Sequence, residues 1–309
     1  NTSTWSTEQT LTVSGNDDLF ADGDIDYSLS WSITTDDVNY AEVTVPFVTL
    51  TNTDNDDARV ILSDLDNLEN VIEGNSAVSI SANIQSALVA GNTVVLDVTV
   101  VSSDGNVQVS SDNTNFSSNI ALTFTDANST VNQDIWVYGV DNTLVDGDKS
   151  ARLDFSIDSS SAVSNADHDN ILIDSEAFTV QDDDKPGITL STISSSVDES
   201  GTTATFTVQL DSIPSDNVTI VFQSSDTSEV SISANSTIIL SNLTSETVTV
   251  TGIDDDIVDG DSDELISILL VTSDDGDYGG DDSAFSDNVS VTNTDSGESI
   301  NINLTADTA

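Results

Sequence analysis

The 309-residue chain carries 56 Asp and Glu against 4 Lys and Arg, a formal charge of −52, with 36% hydrophobic residues and no cysteine. That balance excludes nucleic acid, which needs a cationic stripe to displace phosphate counterions, and it repels an anionic membrane surface. Disulfides, thiolate metal sites and a thiol nucleophile are excluded with cysteine, and no apolar run approaches the roughly 18 residues of a spanning helix.

In chain order, the first predicted element is the strand-like run Thr10–Val13. It is followed by Gly15-Asn16-Asp17-Asp18, then Asp22-Gly23-Asp24, and much later by the acidic cluster Asp54, Asp56 and Asp57. The next stretch repeats this order. A run over Asp134–Val137 leads into Gly139-Val140-Asp141-Asn142 and Asp146-Gly147-Asp148, and Asp182, Asp183 and Asp184 close it. A third copy runs from Thr247–Val250 through Gly252-Ile253-Asp254-Asp255 and Asp259-Gly260-Asp261 to Asp295. The period, roughly 110 to 125 residues, is the size of one seven-stranded β-sandwich.

These repeats predict four segments. Residues 1–57 form the C-terminal part of a repeat, 58–184 and 185–295 are complete repeats, and 296–309 resembles the first strand of another or a donor strand. The first residue is not methionine and no signal-peptide pattern is present, so the chain reads as a window from, or a processed form of, a longer repetitive chain. Extra residues around Ser159–Asp174 are expected to form a surface loop.

Alternation identifies the fold class. Val248 and Val250 interleave with threonines, and Val289 and Val291 alternate with Ser290 and Thr292. Period two with β-branched residues predicts half-buried antiparallel strands, and no stretch has a helical period. The expectation is an all-β chain of tandem immunoglobulin-like antiparallel sandwiches in an extended array. In 185–295 the seven strands are expected over 188–197, 203–210, 218–222, 230–240, 247–253, 265–272 and 285–291.

A sandwich chain changes pole with each strand, so loops after odd-numbered strands gather at the exit pole. In the third repeat those loops hold Glu199, Asp226, the Asp254–Asp261 loop and Asp295. In the second they hold Glu73, Asp104, the Asp141–Asp148 loop and Asp182–Asp184. Like charges so gathered repel unless neutralised. Ca²⁺, which takes six to eight oxygen ligands in flexible geometry, suits them better than Mg²⁺ with its tight octahedron. Solubility is the competing explanation for acidic loops, but charge placed at random would not select alternate loops. The Asp274–Asp282 loop departs from the pattern, since parity sends it to the opposite pole.

The strand-Gly-x-Asp-Asp-x-x-x-Asp-Gly-Asp element, the Val-x-Glu of Val71-Ile72-Glu73 and Val197-Asp198-Glu199, and the closing acidic triplet together resemble Calx-beta domains. Trp5 to Val13 is similar to the run before the acidic loop in bacterial members. The resemblance implies a seven-stranded immunoglobulin-like sandwich binding Ca²⁺ at one end. It implies Glu73, Asp104, Asp141 and Asp182–Asp184 as ligands in the second repeat, and Glu199, Asp226, Asp254, Asp255 and Asp295 in the third. The matching acids Asp17, Asp18, Asp22, Asp24, Asp54, Asp56, Asp57, Asp146, Asp148, Asp259 and Asp261 complete the candidate set. Asn142 stands where the other copies have Asp18 and Asp255, and Thr294-Asp295-Ser296 replaces a triplet, which implies fewer or weaker ions in the third repeat.

Other chemistry finds little support. With Gly260 in the sixth position of an EF-hand loop, Ile257 and Ile266 would fall at ligand positions. A nucleophilic triad would have to use His168, which lies in a polar loop sequence. The paired carboxylates of a glycosidase usually work in an aromatic-lined cleft, and aromatics make up 5% of this chain. Trp31 and Trp136 fit strand packing, Trp5 fits burial in the first repeat, and the sequons at Asn115, Asn128, Asn217 and Asn235 leave glycosylation open. The expectation is a non-enzymatic, extracellular, calcium-stiffened spacer of an adhesin-like surface or secreted protein, partnered by calcium and neighbouring repeats. The alternative is a filament or surface-layer subunit assembled by strand exchange.

Overall fold

The computed structural model describes residues 7–158, 173–232, 236–254, 260–279 and 285–295. Trp5, His168, Asn235, Asp255, Asp259 and the 296–309 segment lie outside the described residues. Within them the regular structure is strand apart from one 3-10 helix, Leu65–Asn70, as alternating β-branched residues require. Among the described residues no helix is long and apolar enough to cross a membrane.

The N-terminal repeat contributes β1 (Ile25–Leu29) and β2 (Val48–Asn52), which pair antiparallel. The second repeat contains β3 (Val60–Ser63), β4 (Val78–Ile84), β5 (Thr93–Ser102), β6 (Val107–Ser110), β7 (Asn119–Thr125), β8 (Gln133–Gly139), β9 (Lys149–Ile157) and β10 (Glu176–Val180). They form two sheets, β3-β4-β8-β6 and β10-β9-β5-β7. Residues of both sheets, among them Ile80, Val94, Leu96, Phe124, Ile135 and Leu153, build one buried core.

The third repeat contains β11 (Ile188–Leu190), β12 (Val197–Asp198), β13 (Thr203–Leu210), β14 (Val218–Ser224), β15 (Val230–Ile232), β16 (Thr237–Leu240), β17 (Glu246–Gly252), β18 (Ser262–Thr272) and β19 (Asn288–Thr294). Two expected strands prove to be divided. The run 188–197 becomes β11 on one sheet and β12 on the other, where β12 lies parallel to β19. The run 230–240 likewise becomes β15 and β16 on opposite sheets. A strand that crosses between sheets closes both edges of a sandwich. The core of this repeat centres on Phe206 and Phe222, packed edge to face at 5.5 Å.

The last two strands of every repeat share one register. Tyr27 faces Leu50, Ala151 faces Phe178, and Glu264 faces Val291. Each of the first residues lies four places after the glycine of its acidic loop. A cross-strand hydrogen bond recurs with it, from Thr51 Oγ1 to Asp26 Oδ1 (2.7 Å) and from Thr292 Oγ1 to Asp263 Oδ1 (2.6 Å). Side-chain pairing thus fixes where each acidic loop leaves its sheet.

The described residues fall into two compact units. One draws on Asn1–Val140 and Lys149–Gln181, the other on Asp141–Asp148 and from Asp182 onward. The first unit therefore holds the N-terminal half-repeat together with the sandwich of the second repeat. The loop Asp141–Asp148 and the cluster from Asp182, expected to complete residues 58–184, instead group with the third repeat. Backbone bonding explains this: Ile213 donates to Thr143 O at 2.8 Å. Leu144, Val145 and Asp146 also line a hollow of about 240 Å³ with Ser212, Ile213, Asp275, Asp277 and Tyr278. Part of the Asp274–Asp282 loop that parity set apart thus faces an acidic loop.

Phe206→Ala should cost about 3–5 kcal/mol in chemical denaturation of the third repeat. A loss under about 1 kcal/mol would show that the ring pair is not the core.

Candidate metal centres

Each acidic loop is tied down by the same hydrogen bonds. Gly23, Gly147 and Gly260 adopt left-handed φ values of 79°, 72° and 92°. In that conformation each backbone N–H turns towards the closing aspartate. Gly23 donates to Asp54 Oδ2 at 2.6 Å, Gly147 to Asp182 Oδ2 at 2.6 Å, and Gly260 to Asp295 Oδ2 at 3.0 Å. Asp54 and Asp182 return the link, since their own N–H groups donate to Asp24 Oδ1 (2.9 Å) and Asp148 Oδ1 (3.1 Å). Their Oδ1 atoms accept from Asp56 N–H (2.8 Å) and Asp184 N–H (2.9 Å).

Asp54, Asp182 and Asp295 therefore act first as clamps. The N–H of Asp56, then that of Gly23, holds the Asp54 carboxyl below the usual range despite some burial. The loop entry is capped by side chains too. Asp18 Oδ1 accepts from Phe20 N–H at 2.9 Å, and Asn142 Oδ1 accepts from Leu144 N–H at 2.7 Å. Asparagine keeps this turn because the bond needs one acceptor oxygen and no charge.

The carboxylates beside the clamps are in the opposite condition. Burial pushes the Asp56 carboxyl up, and Asp54, Asp17, Asp18 and Asp57 push it further. Asp17, Asp18, Asp22, Asp54 and Asp56 line a polar hollow of about 60 Å³ in the first unit. The second unit repeats the arrangement. Burial raises Asp184, then Asp182, Asp183, Asp141 and Asp146 add to it, and its Oδ2 is buried without a hydrogen-bond partner. Four other carboxylates acting on Asp184, whose Oδ2 is left without a hydrogen bond, are the donor type that a hard cation with oxygen ligands takes. Nearby cationic side chains are few; Arg59 pairs with Asp57 and Arg152 with Asp154.

A third gathering lies in the third repeat, where backbone bonds bring the odd-numbered loops together. Glu199 N–H donates to Thr294 O at 3.4 Å and Ile253 N–H to Glu229 O at 2.8 Å. Asn293 Nδ2 donates to Glu229 O at 3.0 Å and to Ile253 O at 3.3 Å. Glu199, Glu229 and Glu264 are buried here. Glu264 accepts from Ser262 Oγ at 2.7 Å and from Ser225 Oγ, and Glu229 Oε2 accepts from Asn293 Nδ2 at 3.0 Å. Asp226 is exposed, and its carboxylate caps its own turn through Ser228 N–H at 2.8 Å.

Glu229 and Glu264 are missing from the candidates read off the sequence. Glu264 sits inside a strand-like run beside Asp263, and Glu229 in the turn that follows Asp226. Asn293 was missed as well, although Asn52-Thr53-Asp54 and Asn293-Thr294-Asp295 repeat it. A Cβ on Gly252 would lie 2.7 Å from Asn293 Oδ1, and one on Gly15 would lie 2.2 Å from Asn52 Oδ1. On Gly252 the Cβ would also lie 2.2 Å from Asp198 O, a backbone atom that cannot swing aside, so glycine is required there by close approach.

The second repeat is distributed between the units. Glu73 and Asp104 belong to the first, Asp141, Asp146, Asp148 and Asp182–Asp184 to the second. Glu73 is buried and its N–H donates to Gln181 O at 3.1 Å, while Asp104 is exposed. Asn106, at the place of Glu229, has both side-chain polar atoms buried without partners. Among the described residues, no three Asp, Glu or His side chains close on a single point as one bound ion requires. The candidate ligands are gathered but spread.

No protein-family model matches the sequence, and no curated protein does. Among solved structures, the chain is similar to the calcium binding domain CBD12 of CALX1.1, with 12% identity over 69% of this chain and 78% of that one and a TM-score of 0.33. It is similar to domains 4 and 5 of the S-layer protein SbsC, with 18% identity over 47% and 64% and a TM-score of 0.24. It is similar also to a protein of unknown function from Porphyromonas gingivalis W83, with 12% identity over 76% and 99% and a TM-score of 0.25. The sandwich architecture rests on the strand pairings described above.

A carboxyl raised in the fold destabilises it at pH values above the unfolded pKa, and acidification relieves this. In chelator, Asp184→Asn should therefore raise the melting temperature at pH 7, and the difference from wild type should vanish by about pH 4. A pH-independent difference would show that Asp184 is not held against its neighbours.

Proposed function

We propose that the chain is a tandem of calcium-binding β-sandwich repeats serving as a spacer in an extracellular surface or secreted protein of adhesin-like type. The observation that carries this reading is the Gly–Asp clamp present in all three repeats, set in two of them beside a half-exposed carboxylate, Asp56 or Asp184, whose ionisation desolvation and the neighbouring aspartates oppose. In the first unit Asp17, Asp18, Asp54 and Asp56 would hold the ion, and in the second Asp141, Asp146 and Asp182–Asp184. Glu199, Glu229, Glu264, Asp254, Asp261 and Asp295 are the corresponding donors of the third repeat.

Calcium would supply the positive charge that these carboxylates lack. The chain's own part is to hold the oxygens on clamped loops, so that ligation neutralises them with little rearrangement of the backbone. Open, half-exposed carboxylate sets suit the weak affinities, about 10⁻⁴ to 10⁻³ M, of extracellular modules. With the ion in place each acidic loop stiffens, and a string of such repeats bends less. No step in this role is catalytic.

Assembly by strand exchange is a second reading, supported by the N-terminal repeat, whose apolar side chains are largely exposed. Under that reading the purified chain polymerises, and deletion of Ser296–Ala309 abolishes polymerisation.

Calcium at a hundred times its dissociation constant should stabilise each site by about 2.7 kcal/mol. The melting temperature should rise with calcium and fall in chelator, and small-angle scattering should show a longer maximum dimension with the metal. An unchanged melting temperature together with an unchanged dimension would refute the spacer reading.

A further inference from the structure

The last strand of the second repeat, β10, stands at the end of its sheet, with β9 on one side only. In such an antiparallel pair alternate residues direct both N–H and C=O to the neighbour, and the residues between them direct theirs away. Gln181 shows which residues of the strand do which. Its N–H donates to Val71 O at 2.9 Å and its carbonyl accepts from Glu73 N–H at 3.1 Å, both on the side away from β9. Thr179 and Ala177, two and four places earlier, therefore turn their backbone groups to that same side. Among the described residues no backbone group meets them there.

The path of the chain before Val71 leaves this edge open. β3 belongs to the opposite sheet, the 3-10 helix Leu65–Asn70 carries the chain across, and backbone pairing with the final strand begins only at Val71. A hollow of about 450 Å³ remains between helix and edge, lined by Leu65, Leu68 and Phe178 together with Asp66, Glu69 and Glu176. Leu68 and Phe178 are buried, whereas Asp66 and Glu69 are exposed. Gln181 Nε2, donating to Glu69 O at 2.9 Å, bridges helix and strand at one end. The third repeat has a hollow of about 330 Å³ at the corresponding place, between the segment after β11 and the Asn288–Ser290 end of β19, and none of its described lining residues is acidic.

We infer that the hollow of the second repeat is a docking site for an extended basic segment of another protein, added as a strand to the edge of β10. Ala177 and Thr179 each offer it one N–H and one C=O. Its Lys or Arg side chains meet Asp66, Glu69 and Glu176, and an apolar residue between them covers Leu65 and Phe178. Charge selects this occupant. A second copy of the chain, with 56 acidic residues against 4 basic ones, would bring like charge to the three carboxylates, and an anionic lipid surface would do the same. The inference goes beyond the calcium reading and is independent of it, because none of these residues belongs to the acidic clusters.

The test adds the synthetic peptide acetyl-Lys-Val-Lys-Val-Lys-Val-amide to the 309-residue chain at physiological ionic strength, where distant charges are screened beyond about 8 Å. Amide hydrogen exchange at Ala177 and Thr179 should slow roughly tenfold or more, while exchange at Asn288 and Ser290 in the third repeat stays unchanged. Combining Asp66→Asn, Glu69→Gln and Glu176→Gln should weaken the peptide roughly tenfold. Thr179→Pro removes an outward N–H without breaking the ladder to β9 and should abolish the protection at Ala177; if it also lowers the melting temperature, the triple variant decides. Slowing spread over the acidic loops with none at Ala177 and Thr179 would overturn the inference. So would equal slowing at Asn288 and Ser290, or an affinity unchanged in the triple variant. Slow exchange at Ala177 and Thr179 before the peptide is added would overturn it too, since the edge would then already be covered.

Discussion

The structure turns on a short hydrogen bond from a glycine N–H to an aspartate carboxylate at the end of a sandwich. In each repeat it joins the loop between the last two strands but one to the residue that leaves the final strand. A chain carrying −52 charges would otherwise drive its acidic loops apart. Backbone N–H groups supply the partial positive charge that the sequence, with four cationic side chains, does not. Left-handed glycine is what aims that N–H, which is why Asp-Gly-Asp recurs as a unit.

The clamp divides the acids into two kinds. Asp54 and Asp182 are saturated with backbone donors. Asp56 and Asp184 stand next to them without that support, and burial and repulsion both oppose their ionisation. Protein structure tends to avoid such groups unless something outside the chain completes them. On the proposed reading that role belongs to calcium, and the fold prepares for it by fixing the loops first. The third repeat shows a variant in which three buried glutamates, Glu199, Glu229 and Glu264, join its acidic end.

The N-terminal repeat shows the last strands of such a sandwich and their acidic end as one organised piece. Its register and its loop clamp match those of the complete repeats, and its polar hollow forms. Its apolar side remains open. Local pairing and hydrogen bonding are thus sufficient for the acidic end, whereas burial requires the opposite strands.

The all-β class, the repeat period, the positions of most strands and the concentration of acids at loop ends were all legible in the amino-acid order, because alternation and like-charge spacing are local properties. The splitting of 188–197 and 230–240 between sheets was not, since a strand that changes partners keeps its period of two. Nor could acidity alone separate clamping aspartates from strained ones, or expose Glu229, Glu264 and Asn293, whose significance lies in which backbone groups face them. Those distinctions, and the grouping of the Asp141–Asp148 loop with the third repeat, arise from hydrogen bonds between residues 30 or more positions apart. Sequence chose where the charges stand along the chain. Tertiary contacts chose which of them are satisfied, because only folding brings a donor to each oxygen.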